Sequence, residues 1–192
     1  MNKPENRETG YKLLTPIMRP LFKLYYNPKI IGAENIPSDG AIIIAGNHKH
    51  VFDQCLTIMA TKRVIHYMAK KEYFEGKLAP FFRLVGCIPV DRSRRDLSSA
   101  KSAMRVLQDG GAIGIFPEGT RTKTGEMGRF KQGAFKIAMD LNLPVVPISL
   151  SGFYDAMPSG AFFVQPHAHV HLHIGKPIDL QQFEEITTAM EH

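Results

Sequence analysis

Ala41-Ile42-Ile43-Ile44-Ala45-Gly46, followed at once by Asn47-His48-Lys49-His50-Val51-Phe52-Asp53, is the stretch on which the reading of this chain turns. The first six residues form a short apolar run without a polar break and read as a strand buried on both faces. The pattern repeats downstream. Residues 64–69 (VIHYMA), 87–90 (CIPV), 112–116 (AIGIF) and 145–150 (VVPISL) are further runs of the same kind. Helical patterns lie between them. Asp96 to Gln108 places Leu97, Ala100, Met104 and Leu107 on one face and stops at Gly110-Gly111, a C-terminal signal. Phe130 to Leu141 repeats the scheme through Phe130, Ala134, Ile137, Ala138 and Leu141. Strands alternating with helices predict an α/β fold, a mixed and largely parallel sheet flanked by helices.

Upstream, Leu14, Ile17, Met18, Leu21, Phe22 and Tyr25 recur at helical spacing with Lys12, Arg19 and Lys23 between them, the pattern of a basic amphipathic helix. Such a helix either lies in a lipid interface, its cations near anionic headgroups, or packs on the domain. Pro16 and Pro20 are expected to break or kink it. The chain thus divides into an N-terminal amphipathic segment, residues 1–30, and a main domain, residues 31–192.

Composition limits the partners. A chain of 192 residues with 44% hydrophobic and 22% charged residues is an ordinary globular composition, long enough for one real core. A net charge of +6 favours phosphates or an anionic membrane surface as partners. No apolar run reaches the roughly 18 residues of a spanning helix. The two cysteines, Cys55 and Cys87, have no disulfide or zinc spacing, so a reducing, cytoplasmic compartment fits best.

The chemistry-bearing residues follow the buried runs. His48 and Asp53 share a strand-to-helix corner, where ligands of open α/β sheets bind. With four residues between them, the loop can turn back so that Asp53 accepts a hydrogen bond from one imidazole nitrogen and leaves the other basic. A His and an Asp in one loop also commonly make a turn contact or a helix cap, so the pair alone decides little. After CIPV comes Asp91-Arg92, and Arg92 at a strand end can hold a phosphate bidentately, with Arg94 and Arg95 read as a solvated basic loop. After AIGIF comes Pro117-Glu118-Gly119-Thr120-Arg121-Thr122. Here Glu118 could bind an acceptor hydroxyl and pair with a cation, Arg121 could join the phosphate clamp, and backbone N–H groups near Gly119 could steady an oxyanion.

Together these segments resemble the 1-acylglycerol-3-phosphate O-acyltransferase family within the glycerolipid acyltransferases. His-x4-Asp matches NHKHVFD, Gly-x-Ile-x-Val-x-Arg matches GCIPVDR, Phe-Pro-Glu-Gly-Thr-Arg matches FPEGTRT, and a weaker block around a strand proline matches Val145-Val146-Pro147-Ile148. The blocks stand in family order across residues 31–177. The resemblance implies that His48 is the general base and Asp53 its orienting partner, with Arg92, Glu118, Gly119, Thr120 and Arg121 in the substrate site. Lys131, in Phe130-Lys131-Gln132-Gly133, is a further candidate phosphate contact near a helix N-terminus. It further implies acyl transfer from acyl-CoA or acyl carrier protein to the hydroxyl of lysophosphatidic acid, giving phosphatidic acid, with no acyl-enzyme. Glycerol-3-phosphate or another lysophospholipid is the alternative acceptor, and non-catalytic phospholipid binding the alternative class. No metal, no cofactor beyond the donor and no nucleic acid are expected; the location expected is peripheral, on the cytoplasmic face of the membrane. Relatives commonly carry a small hydroxyl residue where this chain has His50.

His167, His169, His171 and His173 alternate with apolar residues. A strand there would line four imidazoles on one face. With no cysteine or carboxylate completing a metal site, they read as the polar outer face of a half-buried strand. Ser149 and Ser151 form no G-x-S-x-G elbow.

Overall fold

A computed structural model of the chain describes residues 9–50, 52–91, 97–122, 124–131, 133–153 and 169–182. Helices are α1 (Thr9–Tyr26), α2 (Asp53–Ala60), α3 (Ala79–Leu84), α4 (Leu97–Gln108) and α5 (Gly133–Asp140). Strands are β1 (Lys29–Ile31), β2 (Ile42–Gly46), β3 (Ile65–Lys70), β4 (Ile88–Val90), β5 (Ala112–Ile115), β6 (Val145–Ser151) and β7 (His171–Ile174). They form one sheet in the order β1-β7-β6-β2-β5-β3-β4. Every pairing is parallel except β6 with β7, so the sheet is mixed and mostly parallel, as expected.

Strand β2 is buried at all five positions because helices cover both of its faces. Ile42 and Ile44 point to one side, where they join Phe22 and Tyr26 of α1, Leu56 of α2, Tyr67 of β3 and Val146 of β6. Ile43 and Ala45 point to the other, against Ala103 and Leu107 of α4 and Ala138 of α5. On β7 the expected alternation is present: His171 and His173 are exposed, Leu172 and Ile174 buried. His167 lies outside the described residues, as do Arg92, Arg94 and Arg95.

The prolines of α1 do not break it. The helix runs unbroken from Thr9 to Tyr26 with Pro16 and Pro20 inside it. Its contacts override the local penalty: the Tyr11 hydroxyl donates to the Arg63 carbonyl at 3.0 Å, and Phe22 and Tyr26 enter the core. Arg19 turns toward the domain. Its guanidinium donates to the carbonyls of Ile58 and Thr61, satisfying acceptors that the end of α2 leaves open. The outward face carries Leu13, Ile17, Leu21 and Leu24, all exposed.

Candidate active site

The site lies beyond the C-terminal ends of β2 and β5, neighbours in the parallel part of the sheet. Asn47 fixes where the first loop leaves. Its side-chain amide donates to the Leu150 carbonyl at 2.8 Å and accepts the Leu150 N–H at 2.7 Å, so a side chain pairs with β6 as a peptide group would.

Next comes the pair. Nδ1 of His48 lies 2.9 Å from Oδ2 of Asp53, which is completely buried. The same oxygen accepts the N–H groups of Lys49 at 2.6 Å and His50 at 2.7 Å. Asp53 is also the first residue of α2, where the helix dipole favours a negative charge. An acceptor so placed puts the proton of a neutral imidazole on Nδ1 and leaves Nε2 with its lone pair. The ring is further held by stacking on Phe116, centroids 4.0 Å apart and planes 9° from parallel.

Glu118 has partners that the sequence did not suggest. It is buried, and its two oxygens accept the backbone N–H groups of His48 and Gly128, each at 2.6 Å. Through these two backbone groups the carboxylate ties two loops together. Gly119 also differs. Its N–H closes a turn on the Phe116 carbonyl at 2.8 Å, so it does not point at an oxyanion. What glycine supplies here is a φ of +72° and room: a Cβ would sit 2.8 Å from Nζ of Lys131, whose side chain crosses it. Thr120 and Arg121 are exposed on the same loop, which the Thr122 N–H joins to the His48 carbonyl at 2.9 Å. Arg121 is close enough to His50 to act on its titration. The structure thus gathers His48, Asp53, Glu118, Gly119, Arg121 and Lys131.

His50 explains its own departure from the usual hydroxyl. Its Nδ1 accepts the Phe52 N–H at 3.2 Å, the bond a serine or threonine oxygen makes at such a turn. Burial, more than the nearby Arg121 and His48, lowers its pKa against the opposing charge of Asp53. Asn47, Phe116 and Gly128 gave no chemical signal in the sequence, since amides, rings and glycines that hold a loop resemble those that merely fill one.

Beside α2, an apolar cavity of about 180 Å³ opens between α1, α2, α3 and the sheet, lined by Leu14, Met18, Phe22, Cys55, Met59 and Phe82 among others. Burial pushes the thiols of Cys55 and Cys87 up to about 12.

The pattern that defines the Acyltransferase family matches residues 27–151, a span that holds the pair and the Glu118 loop. The chain belongs to this family. It is 33% identical over 178 residues to the 1-acyl-sn-glycerol-3-phosphate acyltransferase of Bacillus subtilis (strain 168), covering 92% of this chain and 86% of that one. It is 34% identical over 158 residues to the chloroplastic 1-acyl-sn-glycerol-3-phosphate acyltransferase BAT2 of Brassica napus, covering 80% of this chain and 46% of the relative. The chain thus spans less than half the length of that plant acyltransferase. The crystal structure of the 1-acyl-sn-glycerophosphate (LPA) acyltransferase PlsC from Thermotoga maritima matches with a TM-score of 0.78 and 27% identity, over 100% of this chain and 79% of that one.

Proposed function

We propose that this acyltransferase moves a fatty acyl group from an acyl thioester, acyl-CoA or acyl carrier protein, to the free hydroxyl of 1-acyl-glycerol-3-phosphate, giving phosphatidic acid for phospholipid synthesis. The observation that carries the reading is the His48 Nδ1 to Asp53 Oδ2 contact, which leaves Nε2 basic at the mouth of a parallel sheet. The names of the relatives supply the acceptor. In this reading Nε2 takes the hydroxyl proton as the oxygen attacks the thioester carbonyl. The tetrahedral intermediate then expels the thiolate, which takes the proton from the imidazolium, and ester and free thiol result. Asp53 stays ionised and steadies the imidazolium between the two transfers. No acyl-enzyme on cysteine is invoked, because Cys55 and Cys87 are held protonated by burial.

The acceptor phosphate is assigned to Arg121 and Lys131, with Arg92 added on the strength of its motif. The acyl chain is assigned to the apolar cavity, whose lining residues Gln54 and Cys55 directly follow Asp53. Among the described residues no helix is long and apolar enough to cross a membrane. The acyltransferase is assigned a peripheral place on the cytoplasmic face, with the exposed Leu13, Ile17, Leu21 and Leu24 of α1 and Leu78, Phe81 and Leu84 around α3 meeting lipid.

The test is acyl transfer from a panel of acyl thioesters to lysophosphatidic acid and to glycerol-3-phosphate in mixed micelles, with His48→Ala beside the wild type. Phosphatidic acid from the wild type and none from a folded His48→Ala supports the assignment. Turnover with glycerol-3-phosphate alone moves the acceptor, and vesicle binding without any turnover replaces catalysis by lipid binding.

A further inference from the structure

Three buried polar atoms lie together behind the His48–Asp53 pair. They are Oδ1 of Asp53, Oγ1 of Thr57 and the hydroxyl of Tyr67, and none makes a well-formed direct hydrogen bond. Thr57 follows Asp53 by four residues on α2, so the two occupy one helix face a turn apart, and both are completely buried. From β3 the Tyr67 hydroxyl approaches Thr57 and senses the charge of Asp53, while burial keeps the phenol protonated. Enclosed groups of this kind find partners in one another or in an ordered water. The inventory matches: two O–H donors and one carboxylate oxygen allow Tyr67 to donate to Thr57 and Thr57 to donate to Asp53. Phe and Val would fill these positions with no polar atom to satisfy, so the hydroxyls are costly unless they act on something.

Tyr67 also meets the pair from its other side. Its ring stacks on Phe116 at 5.5 Å and 19°, and Phe116 is the ring on which His48 lies. Gly114 makes that stack possible, because a Cβ there would fall 2.3 Å from the tyrosine ring.

We infer that Thr57 and Tyr67 are positioning residues for the pair. Their hydroxyls, directly or across one bound water, hold Oδ1 of Asp53 and so fix the carboxylate plane that presents Oδ2 to His48. The inference rests on the proposed acyl transfer only for its kinetic arm. A second arm needs no substrate: the His48 Nδ1 proton, identified in the NMR spectrum by its loss in His48→Ala, reports the contact with Asp53.

The variants are Thr57→Val, Tyr67→Phe and Thr57→Ser, the last restoring a hydroxyl. Thr57→Val and Tyr67→Phe should each lower kcat by about 5- to 10-fold with KM unchanged, the worth of roughly one hydrogen bond, and should shift or broaden the Nδ1 proton. Thr57→Ser should retain both signals. Wild-type kinetics and an unmoved Nδ1 proton in both isosteres overturn the inference. So does Thr57→Ser failing alongside Thr57→Val, since packing would then be the cause. A disturbed Nδ1 proton in a protein whose wild type shows no turnover would uphold the positioning and refute the acyl-transfer reading.

Discussion

Replacing Glu118 by glutamine keeps the shape of the side chain and removes its charge, which separates a loop clamp from a substrate ligand. Both carboxylate oxygens accept a backbone N–H at 2.6 Å, one from His48 and one from Gly128. Glutamine offers one oxygen and one NH2. Whichever way the amide turns, it confronts one of these half-shielded N–H groups with another donor. An N–H left without an acceptor at such a half-shielded place costs about 1 kcal/mol, the low end of the buried range, and exchanging a charge-assisted bond for a neutral one adds roughly 1 kcal/mol. The sum is about 2 kcal/mol, which for a chain of this size lowers Tm by about 4–8 °C. Because His48 hangs from one of the two bonds, kcat should fall about 10- to 100-fold, in line with a displacement on the order of 1 Å, while KM for the acceptor holds. Calorimetry with steady-state kinetics of the acyl transfer reads both quantities. An unchanged Tm with a raised acceptor KM would refute the clamp and return Glu118 to the acceptor site.

Three further outcomes are expected. His50→Ala should cost about 1 kcal/mol through the lost acceptor for the Phe52 N–H, and His50→Ser should recover most of it. Because the fold lowers the pKa of His50, the unfolded chain binds the proton more readily. Its contribution to stability is therefore complete above the ordinary value of about 6.5 and declines as pH falls from there toward the folded pKa. Urea melts between about pH 5 and 7.5 should show less acid destabilisation in His50→Ser, and equal slopes would contradict this. Arg19→Met should lower Tm by about 3–6 °C through the freed carbonyls at the end of α2 and leave flotation with anionic vesicles unchanged; lost flotation at an unchanged Tm would make Arg19 a headgroup ligand. Ellman's reagent at about pH 8 should label neither Cys55 nor Cys87 until guanidinium unfolds the chain, and rapid native labelling would contradict the pKa of about 12 that burial gives each thiol.

How far the sequence could be read depends on what kind of force sets each feature. Ile42 to Ala45 declared a strand because burial on both faces leaves a composition that needs no partner to be recognised. β1, three residues opening on a lysine, and α3, six residues, did not, because neither holds an apolar run or a period long enough to register. The proline pair in α1 misled because the penalty is local and the contacts of Tyr11, Arg19, Phe22 and Tyr26 that offset it are not. In the site, the spacing of His48 and Asp53 was legible because both lie in one loop. The duty of Glu118 was not, since its partners are backbone groups 70 and 10 residues away. A charged side chain in a motif invites a ligand, and nothing in its identity tells that each of its oxygens already accepts a backbone N–H. Asn47 was passed over for the same reason.

That asparagine bears on the order in which the protein is made. Strands β2, β3, β4 and β5, with both members of the His48–Asp53 pair, are complete once Ile115 has left the ribosome. The amide of Asn47, however, waits for the backbone of Leu150. Until β6 emerges, the loop that carries His48 lacks this anchor. Full anchoring of that loop therefore comes only with the sixth strand, after both members of the pair have been made.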